Sequence, residues 1–134
     1  IYTLSLHDAL PIFSNVAWNF KLHGTMWAGG HAMVVLIAIS ALWMGMLYYH
    51  YPLMTNRTID DSLARSSIKY LFISYLGLFY SFMAAGAAGM PRRNGDWEGD
   101  WFIYGAFIFI FGMMMLYAFV LYFLSLIRSK AIDY

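Results

Sequence analysis

One histidine lies deep in an apolar run. His31 stands in the string Gly29-Gly30-His31-Ala32-Met33, and no Asp, Glu, Lys or Arg occurs over residues 22–56. A polar ring in such a stretch needs a partner inside the protein. Its neighbours Ala28, Gly29, Gly30 and Ala32 leave the surrounding helix surface almost bare. Small residues of this kind let a second helix pack closely, or let a flat macrocycle approach while a neutral imidazole reaches its iron. A packing histidine and a haem ligand are therefore both open. The second constellation is Gly89-Met90-Pro91-Arg92-Arg93. Adjacent arginines can mark a membrane boundary, and they also suit carboxylates such as haem propionates, which a guanidinium grips with a two-pronged fork. His50 sits among Tyr48, Tyr49 and Tyr51, where an amphipathic ring reaches headgroups and water, and it reads as an interfacial residue. The chain has no cysteine, which removes disulfides, thiolate metal sites, iron–sulfur clusters and Cys nucleophiles together. Metal chemistry here must run on His, carboxylate or Met.

The elements that position these residues follow from the distribution of charge. Runs of 35, 22 and 27 residues, at 22–56, 70–91 and 101–127, carry no Asp, Glu, Lys or Arg. Each is long enough to cross about 30 Å of hydrocarbon, which takes about 20 helical residues. Pro52, Pro91 and the polar clusters beside them are expected to stop helices, so the spans are placed near 25–49, 69–88 and 101–127. On that placement His31 lies about seven residues, roughly 10 Å, into the first span. The fold class is an all-α membrane protein with three transmembrane helices, part of a larger bundle. With 62% hydrophobic and 11% charged residues among 134, and a net charge of +1, the chain is suited to a lipid bilayer and not to nucleic acid. Arg57, Arg65, Lys69, Arg128 and Lys130 fall on one side and Lys21, Arg92 and Arg93 on the other. The excess of basic residues makes the first loop and the C-terminus cytoplasmic. The other loop offsets its arginines with Asp96, Glu98 and Asp100, and carries Trp97 and Trp101 as an aromatic belt.

The first dozen residues, IYTLSLHDALPI, resemble the in-frame translation of a short-read sequencing adapter. They lack the basic start and long apolar run of a signal peptide. Residues 1–13 are accordingly expected to be non-native, which sets aside His7 and Asp8, and 14–134 to be the C-terminal part of a longer transmembrane domain.

From about residue 22 to 127 the sequence resembles the catalytic subunit of the haem-copper oxidase superfamily, in the manner of cytochrome c oxidase subunit I. The features that carry the resemblance are the His-X-Thr stretch at His23 to Thr25, His31 eight residues later, the Pro-X-X-Thr-X-Arg run from Pro52 to Arg57, and Gly-Met-Pro-Arg-Arg with Arg92 61 positions after His31. The resemblance implies that the three spans are the last of about twelve. It makes His31 the axial ligand of a high-spin haem and the catalytic residue of this stretch, and Arg92 and Arg93 the partners of the propionates. His23 would lie beside them, near a magnesium-type ion. Two departures bear on the site. Where the family has a second histidine for the low-spin haem this chain has Met33, which as a thioether could ligate iron or could merely pack. Gly24 replaces the usual acidic or amide residue, which weakens the case for the ion. The implied activity is proton-coupled reduction of dioxygen to water by a respiratory terminal oxidase of the cell membrane. It would use two haems, a copper ligated by upstream sequence, and electrons from cytochrome c, another redox protein or quinol. The implied partners are the upstream part of the subunit and oxidase subunits II and III. The alternatives are a nitric oxide reductase of the same superfamily and a non-catalytic membrane subunit or transporter segment.

Overall fold

In the computed structural model, residues 16–92 and 99–131 are described. The expected non-native segment 1–13, Arg93, Asp96, Trp97 and Glu98 lie outside the described residues. A short helix α1 (Val16–Leu22) leads into α2 (Trp27–Thr55). The two-residue strand β1 (Arg57–Thr58) follows, then α3 (Asp61–Ala87), a 3₁₀ turn (Gly99–Trp101), α4 (Phe102–Ile127) and strand β2 (Lys130–Ala131). Helices α2, α3 and α4 are long and apolar enough to cross a membrane. The large apolar residues that cover their outer surfaces, such as Leu42, Phe72 and Phe109, are what a lipid-facing helix presents.

The first two helices overrun their expected ends. Pro52 lies inside α2, not at its end. In the last turn a proline removes a single backbone bond, so the helix continues. It stops at Asn56, whose left-handed backbone (φ 52°) turns its N–H onto the Pro52 carbonyl at 2.9 Å, a conformation asparagine tolerates. Helix α3 starts at Asp61, eight residues before the expected span. The Asp60 carboxylate caps it by accepting the Leu63 N–H at 3.3 Å, and Asp61 pairs with Arg65 one turn on. Arg65 and Lys69, expected to flank a connection, thus belong to the helix. The third helix runs over Phe102–Ile127, as its charge-free stretch predicts.

The three helices share one packed centre. Met44 of α2, Leu71 and Tyr75 of α3, and Ala118 and Tyr122 of α4 are each no more than 5% exposed, so a single cluster joins all three. Two buried tyrosines satisfy their hydroxyls across it. Tyr122 Oη donates to the Met44 carbonyl at 2.7 Å, and Tyr75 Oη shares a hydrogen bond with Ser40 Oγ at 2.8 Å. In a medium without water, such pairing is what makes a polar ring tolerable.

The ends are tied by backbone. At one, β1 pairs antiparallel with β2, Arg57 opposite Ala131 and Thr58 opposite Lys130. Asp60 N–H reaches the Ser125 carbonyl at 3.2 Å, and Tyr51 Oη lies 3.0 Å from Ser129 Oγ. At the other, Thr25 and Pro91 form an isolated antiparallel bridge.

Candidate functional site

The Thr25–Pro91 bridge brings together two stretches that the sequence marks separately. Met26 N–H donates to the Met90 carbonyl and Arg92 N–H to the Gly24 carbonyl, both at 2.9 Å. Thr25 Oγ1 donates to the Leu22 carbonyl at 2.9 Å and accepts the Trp27 N–H at 3.3 Å, which draws residue 25 out of the helix and into the bridge. The α3 side is shaped for this contact. Gly89 turns the chain with φ +84°, a backbone region that glycine enters without a steric penalty. Gly86 lies so close to Trp27 that a Cβ there would overlap the Trp27 backbone. Met90 is fully buried beneath the junction.

Because α2 begins at Trp27 and not near residue 25, His31 is its fifth residue. It lies about 6 Å along the axis, nearer the bridged end than the expected 10 Å. The ring is half-buried. The glycine before it has a packing use: a Cβ on Gly30 would come within 3.1 Å of Met83 and Phe82 of α3. The small residues thus serve the α2–α3 contact, as the packing reading of this stretch supposes. His31 itself is turned about 100° around the helix from that contact. It begins a stripe continued by Val35, Ala38 and Leu42, all exposed, a face of α2 with room for a flat ligand.

Met33 belongs to the other side. Helical spacing aligns it with Gly30, Ile37, Ser40 and Met44, of which Ile37 and Met44 reach the central cluster and Ser40 reaches Tyr75. Imidazole and thioether are both haem ligands, and residues two apart point about 200° from each other. His31 and Met33 therefore face different sides of α2, and the Met33 side is the one packed against α3 and the central cluster.

Arg92 is exposed and makes no ion pair among the described residues, so its guanidinium is available to a carboxylate at the end of α2 that carries His31. Arg93 lies outside the described residues. His23 is exposed at the end of α1, its N–H bonded to the Asn19 carbonyl at 2.9 Å. Among the described residues no three His, Asp or Glu side chains come together, so an ion at His23 needs ligands from elsewhere. His50 is exposed and packs edge-on against Tyr49 at 5.1 Å, in keeping with an interfacial ring. The pairing of Thr25 with Pro91 carried no local sequence signal, since its residues lie 66 positions apart. The tyrosine hydrogen bonds of the centre were equally silent.

A sequence profile described as "Cytochrome C and Quinol oxidase polypeptide I" matches residues 10–120. The chain is 28% identical over 112 residues to cytochrome c oxidase subunit 1 of Albinaria turrita, covering 78% of this chain and 57% of that one. It is 30% identical over 80 residues to the alternative cytochrome c oxidase subunit 1 of Bradyrhizobium diazoefficiens, covering 59% of this chain and 14% of the relative. With cytochrome c oxidase subunit 1 of Thermus thermophilus it shares 28% identity over 79 residues, 56% of this chain and 14% of the relative. The chain thus spans just over half of the first relative and about a seventh of the other two.

Proposed function

Because the chain belongs to the cytochrome c and quinol oxidase polypeptide I family, we propose that it forms the haem-bearing end of an oxidase's catalytic subunit, which reduces dioxygen to water and translocates protons. The electrons come from cytochrome c, another redox protein or quinol. The observation that best supports this reading is the backbone pairing of Gly24 and Thr25 with Pro91 and Arg92, which holds an arginine beside the end of α2 that carries His31. In the membrane, the end with the larger count of basic residues, where β1 meets β2, faces the cytoplasm.

Each residue has a physical task. With haem bound, His31 would supply its neutral imidazole to a high-spin iron, and Met33 would supply its thioether sulfur to a low-spin iron. Arg92 and Arg93 would bind the propionates of such a haem through charge-assisted hydrogen bonds. Gly29 and Gly30 let α3 approach, which fixes the rotation of α2 and so the bearing of both ligands. Haem supplies the electron transfer and oxygen chemistry when bound, with copper held by upstream sequence, and subunits II and III completing the assembly.

The full-length subunit, purified with its partner subunits, is expected to consume dioxygen and to contain haem iron together with copper. Nitric oxide turnover with iron and no copper would move the reading to the other branch of the superfamily, and a purified complex without haem would end it. The Arg92→Gln variant should lower the midpoint potential of the nearer haem by some tens of millivolts, since a positive charge roughly 10 Å away at an effective dielectric near 20 favours the reduced state by about 1–2 kcal/mol. A redox titration that leaves both potentials unmoved would reduce the arginine to a boundary marker. For Met33 the readout is near-infrared magnetic circular dichroism of the oxidised enzyme. A methionine-to-iron charge-transfer band should be present and should vanish in Met33→Leu, whereas a six-coordinate low-spin haem lacking that band makes Met33 a packing residue.

A further inference from the structure

At the end of the molecule opposite Arg92, where β1 meets β2, a cavity of about 310 Å³ opens between the start of α3 and the end of α4. Its wall carries Asp60, Asp61 and Ser62 on one side and Arg128 and Lys130 on the other. Opposite charges line one space without touching. Among the described residues Asp61 is already committed, paired with Arg65 and accepting the Tyr48 hydroxyl at 2.7 Å, while neither Arg128 nor Lys130 comes within ion-pair distance of a carboxylate. Asp60 commits one interaction to capping Leu63, and its remaining lone pairs are open to a donor.

The cavity also lies at a defined depth. Arg128 directly follows the last residue of α4, and the side chains before it, Leu124 and Ile127, are exposed and apolar, Ile127 at 75%. On the helix surface Leu124 and Tyr117 fall on the same stripe as Arg128, and Tyr117 meets Tyr70 of α3 edge-on at 5.4 Å. Charged groups thus sit immediately above an apolar track between two membrane-spanning helices, which is where a lipid headgroup and its acyl chains belong.

We propose that this cavity binds the phosphoethanolamine headgroup of a membrane phospholipid, with its phosphate on Arg128 and Lys130 and its primary ammonium on Asp60. The match is one of charge order. A phosphatidylglycerol headgroup satisfies the basic side and brings no cation to Asp60. Phosphatidylcholine brings a cation whose methylated nitrogen has no N–H to donate. Phosphatidylethanolamine supplies both the anion and three N–H donors, and its two ends bridge charges that the protein itself keeps apart.

The test is lipid retention by the full-length subunit in its complex, read by native mass spectrometry after delipidation and incubation with equal amounts of the dioleoyl phosphatidyl-ethanolamine, -choline and -glycerol. The parent should retain one more ethanolamine lipid than the Arg128→Gln/Lys130→Gln variant. Asp60→Asn keeps a capping side chain and removes the charge, and should lower the preference for ethanolamine over glycerol lipid at that position about tenfold. The haem spectrum, expected to stay unchanged, reports that each variant has assembled. Equal lipid counts in the parent and the double variant would overturn the proposal. So would a headgroup preference that Asp60→Asn leaves intact, or displacement of the lipid by inorganic phosphate, which would mark a free-anion site.

Discussion

In the complete, assembled subunit, His31→Ala is expected to remove the carbon-monoxide-reactive high-spin haem and with it essentially all dioxygen reduction, while the low-spin haem remains. The reason is local. His23 lies beyond the bridge at the end of α1, and His50 is 19 residues further along α2, about 28 Å at 1.5 Å per residue, so no other imidazole of the described residues can substitute. The substitution leaves intact the contact with α3 that Gly30 makes against Met83 and Phe82. Carbon monoxide difference spectra and haem content per assembled subunit give the readout. Full activity in the variant would return His31 to a packing role.

Gly86→Ala should be the most damaging substitution outside the ligands. The added Cβ would overlap the Trp27 main chain, and main chain cannot swing aside as a side chain can. The first turn of α2 is, moreover, held in place by the hydrogen bonds from Met26 to Met90 and from Arg92 to Gly24, each 2.9 Å. Relief must come from separating α2 and α3, at a cost of about 1–3 kcal/mol or more for overpacking. Moving the start of α2 moves His31 with it. Lower thermal stability of the complex and a lower occupancy of the high-spin haem are therefore expected together. Gly45, also in α2, has nothing within 4 Å of an added Cβ, so Gly45→Ala is the matched control and should be neutral. Indistinguishable behaviour of the two would mean that the α2–α3 end tolerates an added methyl group.

Three long apolar helices could be read from the gaps between charges because the bilayer imposes a length, and α4 follows its gap within one residue. The boundaries of α2 and α3 could not, because charge marks the hydrocarbon edge and not the helix end. Asp60 and Asp61 extend α3 by capping and pairing, and Asn56 stops α2 four residues after the proline expected to do so. At the site, residue chemistry singled out His31 and the arginine pair, and family resemblance added Met33 and His23. The rotation of α2, which sets His31 and Met33 on different sides, depends on which face Gly30, Ile37 and Met44 give to α3. An almost uniformly apolar helix has no polar face to disclose that choice. Pairing between Thr25 and Pro91 was beyond reach for another reason: it uses main-chain groups, which every sequence possesses.

The closure of β1 on β2 bears on how the chain is made. β1 emerges from the ribosome between α2 and α3, but its partner residues, Lys130 and Ala131, follow α4 in synthesis. Helices α2 and α3 can therefore enter the membrane and form the Thr25–Pro91 junction while the opposite end is still unclosed. Contacts between residues far apart in sequence form late, and this one awaits translation of α4. A nascent chain halted within α4 would carry its ligand histidine in an assembled α2–α3 pair whose β1 main-chain groups lack their partner, and that exposed edge distinguishes an unfinished subunit from a finished one.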